Sequence, residues 1–212
     1  MQMPSWMPEP GSPVDRIATF LMANLLWLAL AMPIITLPAA TAGLFATLGP
    51  WVRGRDTELF ATFFGAMRRH WLKGTLVAVI DAIIGFVIYV NIRALGFMEM
   101  DSLLLWLMRS INLFIAITLL MINLYVWPLL VLFDLSFRRL IVVSVRMALG
   151  HSFWSLLVLS LAVAPAIVAL FIPPFVSVLL LFSLIALIVN WGAWRIIRKY
   201  ATPEELAELN QH

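Results

Sequence analysis

Cysteine is absent from the 212 residues, which excludes a disulfide framework, thiolate catalysis and a Cys-ligated metal. Charge is scarce: Asp, Glu, Lys and Arg together make up 12% of the chain, against about 25% in an ordinary soluble domain. Histidine is limited to three residues, and no H-x-x-x-H or H-E-x-x-H spacing occurs. His70 and His151 each stand at the start of an apolar run among tryptophans and read as interfacial anchors. There is no G-x-S-x-G elbow, no P-loop and no dinucleotide glycine fingerprint. Ser and Thr have no basic partner at motif spacing. The expectation is a protein that is not an enzyme and carries no cofactor or metal.

What is abundant is apolar: hydrophobic residues make up 63% of the chain. A bilayer core of about 30 Å needs roughly 20 apolar residues in helix, and several largely apolar runs reach that length. They are residues 17–52, Gly74–Ile92, Ser110–Phe133, Phe153–Ile172 and Pro174–Trp194. The fold class is therefore an all-α membrane protein. The N-terminal stretch, proline-rich and without a basic n-region, does not read as a cleavable signal peptide.

The first run is too long for one crossing and holds Pro33 and Pro38 near its middle. Split there, it gives two segments, each just long enough to cross, with Pro38 suited to the first turn of the second helix because its missing N–H costs nothing there. Eleven of the fourteen Lys and Arg fall in three groups, Arg53–Lys73, Arg138–Arg146 and Arg195–Lys199. The positive-inside rule assigns all three to the cytoplasm. Arg93 and Arg109 fall outside, partly balanced by Glu99 and Asp101.

Crossing twice within 17–52 turns the chain into three hairpins, each followed by a basic segment. The expectation is a bundle of six transmembrane helices, alternatively five, with both termini cytoplasmic. The chain reads as one integral membrane domain: an N-terminal tail (1–16), a first hairpin (17–52), an interfacial amphipathic helix (56–73) and a second hairpin (74–133). A cytoplasmic basic helix (134–152), a third hairpin (153–194) and a cytoplasmic tail (195–212) follow. Pro165 predicts a kink, and Pro173-Pro174 the tight turn of the last hairpin.

Between Thr57 and Trp71, Phe60, Phe63, Phe64 and Trp71 recur at helical spacing, with Arg68 and Arg69 mostly on the other side. Asp56 is the expected N-cap. Such a helix lies in the interface with its aromatics in the acyl boundary and its basic face toward anionic headgroups. Asp134 opens a comparable segment carrying Arg138 and Arg139. Thr202-Pro203-Glu204-Glu205 reads as a capping box that starts a short acidic helix. Two readings of these segments stand side by side: anchoring to membrane lipids, and docking to a protein partner. Nucleic acid is not expected, because apolar residues interrupt the basic clusters.

One ionisable residue lies inside a span. Burying Asp81 costs about 2.5–3.5 kcal/mol on the insertion scale, while each Leu, Ile, Val or Phe around it returns roughly 0.3–0.6. Insertion survives, and the carboxyl is expected to face protein. Gly74, Ala78 and Ala82, with Gly85 one turn on, form a small-residue stripe beside it that would let a neighbouring helix approach. Asn24, Tyr125 and Ser160 stand at similar depth, and Asn112 and Asn123 share a helix face. The expectation is one polar cluster of Asp81, Asn24, Tyr125, Ser160, Asn112 and Asn123. It serves either as a packing knot or as a proton or cation relay.

Several short motifs carry a resemblance. Leu44-Phe45-Ala46 through Trp51-Val52-Arg53, then Leu59-Phe60-Ala61-Thr62-Phe63-Phe64, then Gly85-Phe86-Val87-Ile88-Tyr89-Val90-Asn91 resemble the YesL-like bacterial membrane proteins. In that family a proline-threonine-alanine turn, a basic aromatic helix end and an F-x-x-F helix stand in this order. Asn24-Leu25-Leu26-Trp27 and Trp127-Pro128-Leu129-Leu130, followed by Phe133-Asp134, are similar too. Members have no established activity and are often encoded beside ABC importers and enzymes for plant-type oligosaccharides. The resemblance thus implies a bacterial plasma-membrane protein with an accessory role in carbohydrate import, beside importer permease and ATPase subunits. The chain has no convincing E-A-A loop of the kind that docks permeases onto ATPases, so it does not read as the permease. A small transporter or channel built on Asp81 is the alternative. A lipid-linked-substrate enzyme is the third class, without a constellation to support it.

Overall fold

The computed structural model describes residues 12–97 and 102–204. These form seven α-helices: α1 (Pro13–Ala31), α2 (Leu37–Leu48), α3 (Leu59–Leu95), α4 (Ser102–Leu132), α5 (Phe137–Gly150), α6 (Ser152–Ala169) and α7 (Pro174–Tyr200). No strand occurs among the described residues. Six segments are long and apolar enough to cross a membrane: α1, Ile34–Arg53 (α2 with a short 3-10 turn at each end), α3, α4, α6 and α7. The chain is an all-α, multi-pass membrane protein, with six such helices among the described residues.

The first run does turn back. Ser12 caps α1 by accepting from the Asp15 N–H at 3.2 Å, and Pro13 fills the first helical turn, where its missing donor is harmless. The turn after α1 is closed by the Thr36 N–H on the Pro33 carbonyl and by the Thr36 hydroxyl on the Leu30 carbonyl. From there the chain runs back along α1. Trp27 Nε1 donates to Thr41 Oγ1 at 3.1 Å, and the Phe20 and Trp51 rings stack with centroids 6.4 Å apart.

The expected interfacial helix is corrected. There is no break near residue 73: α3 runs unbroken for 37 residues, about 55 Å at 1.5 Å per residue. No proline interrupts it, and Gly74 sits in the middle of a helix already committed on both sides. Residue 73 is a change of neighbour rather than a helix end. Lys73 Nζ reaches the Asp134 carboxylate at 2.7 Å and the Leu135 carbonyl at 2.8 Å, just where α4 has ended. This ammonium holds the exposed Asp134 carboxyl below the usual carboxylate range. Residues beyond Lys73 run antiparallel to α4, while α2 packs along α3 from Phe63 to Gly74.

Contact with α2 also reassigns the aromatic residues. Phe63 is fully buried, its ring against Gly43, so it belongs to the core and not to a lipid-facing stripe. Phe60, Phe64 and Trp71 remain exposed, as do Arg68 and Arg69. Asp56 is not the N-cap: α3 begins after Glu58, and Asp56 instead receives Arg16 Nε at 2.9 Å. Thr57 donates to the Thr47 carbonyl at the end of α2. His70, expected at an interface, is buried. In the next segment α5 starts after Ser136, two residues later than Asp134 suggested.

The last hairpin turns at Pro173-Pro174 as the sequence indicates, but α7 continues past Trp194 and carries Arg195, Arg198 and Lys199 as helix rather than tail. Pro165 and Pro128 both lie inside unbroken helices. Of the helix expected at the C-terminus, the part from Glu205 onward lies outside the described residues, as do Glu99, Asp101 and residues 1–11.

The core is lopsided. Nearly all of α2 is buried, together with most of Met121–Leu130 in α4 and one face of α7 from Ser183 to Ile197. Between Ala78 and Ala94 no residue is buried, and in the first 19 residues of α4 Asn112 alone is. The far halves of α3 and α4 therefore stand out from the bundle as an apolar two-helix arm. Phe86 and Phe114 on that arm are 66% and 68% exposed.

Candidate functional site: the intramembrane polar groups

The six polar residues expected in one cluster do not meet in one place. Asp81, on α3, accepts from Asn123 Nδ2 on α4 at 3.1 Å. The same amide nitrogen also reaches the Leu119 carbonyl at 3.1 Å, and Asn123 Oδ1 accepts from Trp127 Nε1 at 3.2 Å. Positions 123 and 127 are one helical turn apart, so the indole and the amide share a face. The Trp127 ring then stacks on Phe45, with centroids 6.3 Å apart. The resulting chain, carboxylate to amide to indole, ends on an aromatic ring of the core.

Asn24 belongs elsewhere. It is fully buried, donates to the Val178 carbonyl at 2.6 Å and accepts from the Ser183 N–H at 3.0 Å. Ser183 Oγ in turn donates to the Phe20 carbonyl, and Trp27 stacks on Phe182 at 4.0 Å between centroids. These contacts lock α1 to α7. A third knot joins α4 to α6: Tyr125 Oη lies 3.0 Å from Ser155 Oγ, itself 3.1 Å from the Ala148 carbonyl.

Ser160 and Asn112 join none of these. Each bonds a carbonyl four residues earlier in its own helix, Leu156 and Met108 respectively. The expected single cluster is thus corrected to three separate knots, with Asp81 paired to Asn123 and not to Asn24, Tyr125 or Ser160. The small-residue stripe is likewise shorter than expected. Gly74 approaches the Pro38 carbonyl and the Trp127 ring, while Ala82 and Gly85 are exposed.

Three buried polar residues that join helices escaped sequence reasoning: Ser155 and Ser183, already met in the knots, and Asn190. Asn190 is buried in α7 and donates to the Phe45 carbonyl at 3.3 Å. It was findable as the single asparagine of the last span. The Trp–Arg helix ends also do more than mark an interface, for they interlock. Arg53 lies 5.5 Å from the Trp194 ring centroid, and Arg195 lies 4.9 Å from that of Trp154. Both distances suit cation–π attraction.

Each knot satisfies polar groups that hydrocarbon would leave unpaired, and each ties two helices together: α3 to α4, α1 to α7 and α4 to α6. The arrangement can fix helix rotation and depth. Among the described residues no group of three His, Asp or Glu is placed to hold a metal ion. Of the basic residues proposed to face lipid or a partner, Arg138 and Arg139 are exposed on α5.

Residues 20–92 match the family described as "Protein of unknown function, DUF624". The chain is 29% identical to the uncharacterized protein YteU of Bacillus subtilis over 174 residues, which is 79% of this chain and 77% of that relative. It is 25% identical to the uncharacterized protein YesL of the same organism over 190 residues, 86% of each chain. No solved structure matches. The chain is thus similar in sequence to YesL across most of its length.

Proposed function

We propose that this membrane protein acts as a non-catalytic accessory or assembly subunit of a carbohydrate ABC import system in the bacterial plasma membrane. The observation that carries the reading is how the intramembrane polar groups are used. Asp81, Asn24 and Tyr125 sit in three separate knots that each join two helices, and among the described residues no side-chain hydrogen bond links one knot to the next. Such groups specify packing, whereas a relay needs a connected series of them. The importer context rests on the family resemblance of the sequence motifs, and the apolar arm of α3 and α4 offers surface for a partner's membrane helices. Permease and ATPase subunits should co-purify with the tagged protein from its native host in mild detergent. Recovery of the intact protein without either subunit would remove the importer assignment.

The orientation proposed with this function places both termini in the cytoplasm. The chain has no cysteine, so single introduced cysteines report without background. Cysteines at Ser5 and Gln211 should resist an impermeant thiol reagent in intact cells, and one at Phe97, between α3 and α4, should be labelled. Labelling at Ser5 would refute the orientation.

A further inference from the structure

The basic helix α5 does not simply lie over the ends of its neighbours. Together with the last turns of α4 and α7 it encloses a partly open cavity of about 350 Å³, within the roughly 300–1,000 Å³ range of small-molecule pockets. The floor is apolar, with Leu129 and Phe133 from α4 and Ile197 from α7. Two arginines stand at the wall, Arg139 and Arg146, with Val143 between them. Positions 139, 143 and 146 fall on one face of a helix, and seven residues separate the two charges by about 10 Å along the axis. No acidic residue lines the cavity. Among the described residues neither guanidinium has a hydrogen-bonding or ion-pair partner. Asp134, the acidic residue leading into α5, is already engaged by Lys73.

Two unpartnered guanidiniums above an apolar floor, at the level where two membrane helices end, match one chemistry in particular. We propose that this cavity binds a single anionic phospholipid of the cytoplasmic leaflet. Its phosphate lies between Arg139 and Arg146, and an acyl chain runs over Leu129, Phe133 and Ile197 toward the hydrocarbon. Guanidinium is suited to the phosphate because its planar fork donates two parallel hydrogen bonds. A bound lipid would fasten α5 to α4 and α7 at a place where no side-chain hydrogen bond does so. This site stands apart from the importer reading, since it needs only lipid and the chain itself.

The test uses the purified full-length protein in a neutral detergent, titrated with phosphatidylglycerol, phosphatidylcholine or inorganic phosphate, with binding read by native mass spectrometry and thermal unfolding. Phosphatidylglycerol should bind and raise the melting temperature, while the other two should do neither. Arg139→Gln and Arg146→Gln should each weaken lipid binding about ten-fold, the factor that about 1.4 kcal/mol carries. Val143→Trp, which fills the cavity without changing charge, should abolish it. Arg138→Gln removes the same charge from an exposed position outside the cavity lining and should leave binding unchanged. An equal loss in Arg138→Gln would reduce the effect to diffuse surface attraction and overturn the site. A response to inorganic phosphate matching that to phosphatidylglycerol would overturn the lipid assignment. So would binding that appears only after residues 205–212 are deleted, for the acidic segment around Glu204 and Glu205 would then be the natural occupant.

Discussion

Asn123→Leu should lower the melting temperature in detergent more than Asp81→Leu, and Asp81→Asn should leave it nearly unchanged. Asn123 serves two partners at once, accepting from Trp127 Nε1 and donating to Asp81. Its removal strands an indole N–H and a carboxyl, each costing about 1–3 kcal/mol if left unpaired. Removing Asp81 strands less, because the Asn123 amide keeps the Leu119 carbonyl. Interhelical hydrogen bonds in membranes average only about 0.6 kcal/mol, so the orphaned groups, rather than the lost bond, set the order. Asp81→Asn keeps an oxygen able to accept from Asn123. Thermal unfolding of the three variants decides the matter, and a larger loss for Asp81→Leu than for Asn123→Leu would contradict this network. The same variants separate the packing role from transport. A folded Asp81→Asn protein that has lost its cellular function would move the chain into the class of proton- or cation-coupled transporters.

Gly192→Ala should cost about 1–3 kcal/mol, the usual range for forcing extra volume into a packed core. A Cβ at residue 192 would overlap both methyls of Val158 and sit 3.0 Å from its Cβ. Val158 cannot yield, being fully buried and branched at Cβ, which restricts it to few rotamers. Close approach of α6 and α7 here also lets Trp154 Nε1 reach the Gly192 carbonyl at 3.0 Å. Adding Val158→Ala should recover part of the loss, whereas Gly65→Ala should go the other way. Gly65 lies inside α3 with nothing near its missing Cβ, so alanine should gain up to about 1 kcal/mol of helix propensity. Equal melting temperatures for Gly192→Ala and Gly65→Ala would mean that α6 and α7 are not in this contact.

Local properties were legible in the sequence because they depend only on neighbours along the chain. Uncharged length determined the spans, and Pro33-to-Pro38 and Pro173-Pro174 marked the two turns, since proline removes a donor wherever it stands. The recurrence of a basic segment after each hairpin decided for six helices over five, and the structure has six. The same local logic went astray at residue 73. A change from amphipathic to apolar patterning was read as a helix end, although nothing in the backbone chemistry there ends a helix.

Tertiary structure alone decided which residues meet. A helical repeat of 3.6 residues says that Asn112 and Asn123 share a face, but not which neighbour that face meets or at what depth. A shift of one turn moves a side chain by about 5.4 Å, more than the reach of a hydrogen bond. Thus Asp81 found Asn123 and not Tyr125, and Asn24 spent itself on the backbone of α7, 154 and 159 residues away. Phe63 was sent inward for the same reason. Its spacing matched that of Phe60 and Phe64, and only the presence of Gly43 opposite made one of the three a core residue. Composition and spacing say that a chain crosses the membrane and where it turns. The rotation and relative depth of the helices emerge only when every packed face is satisfied together.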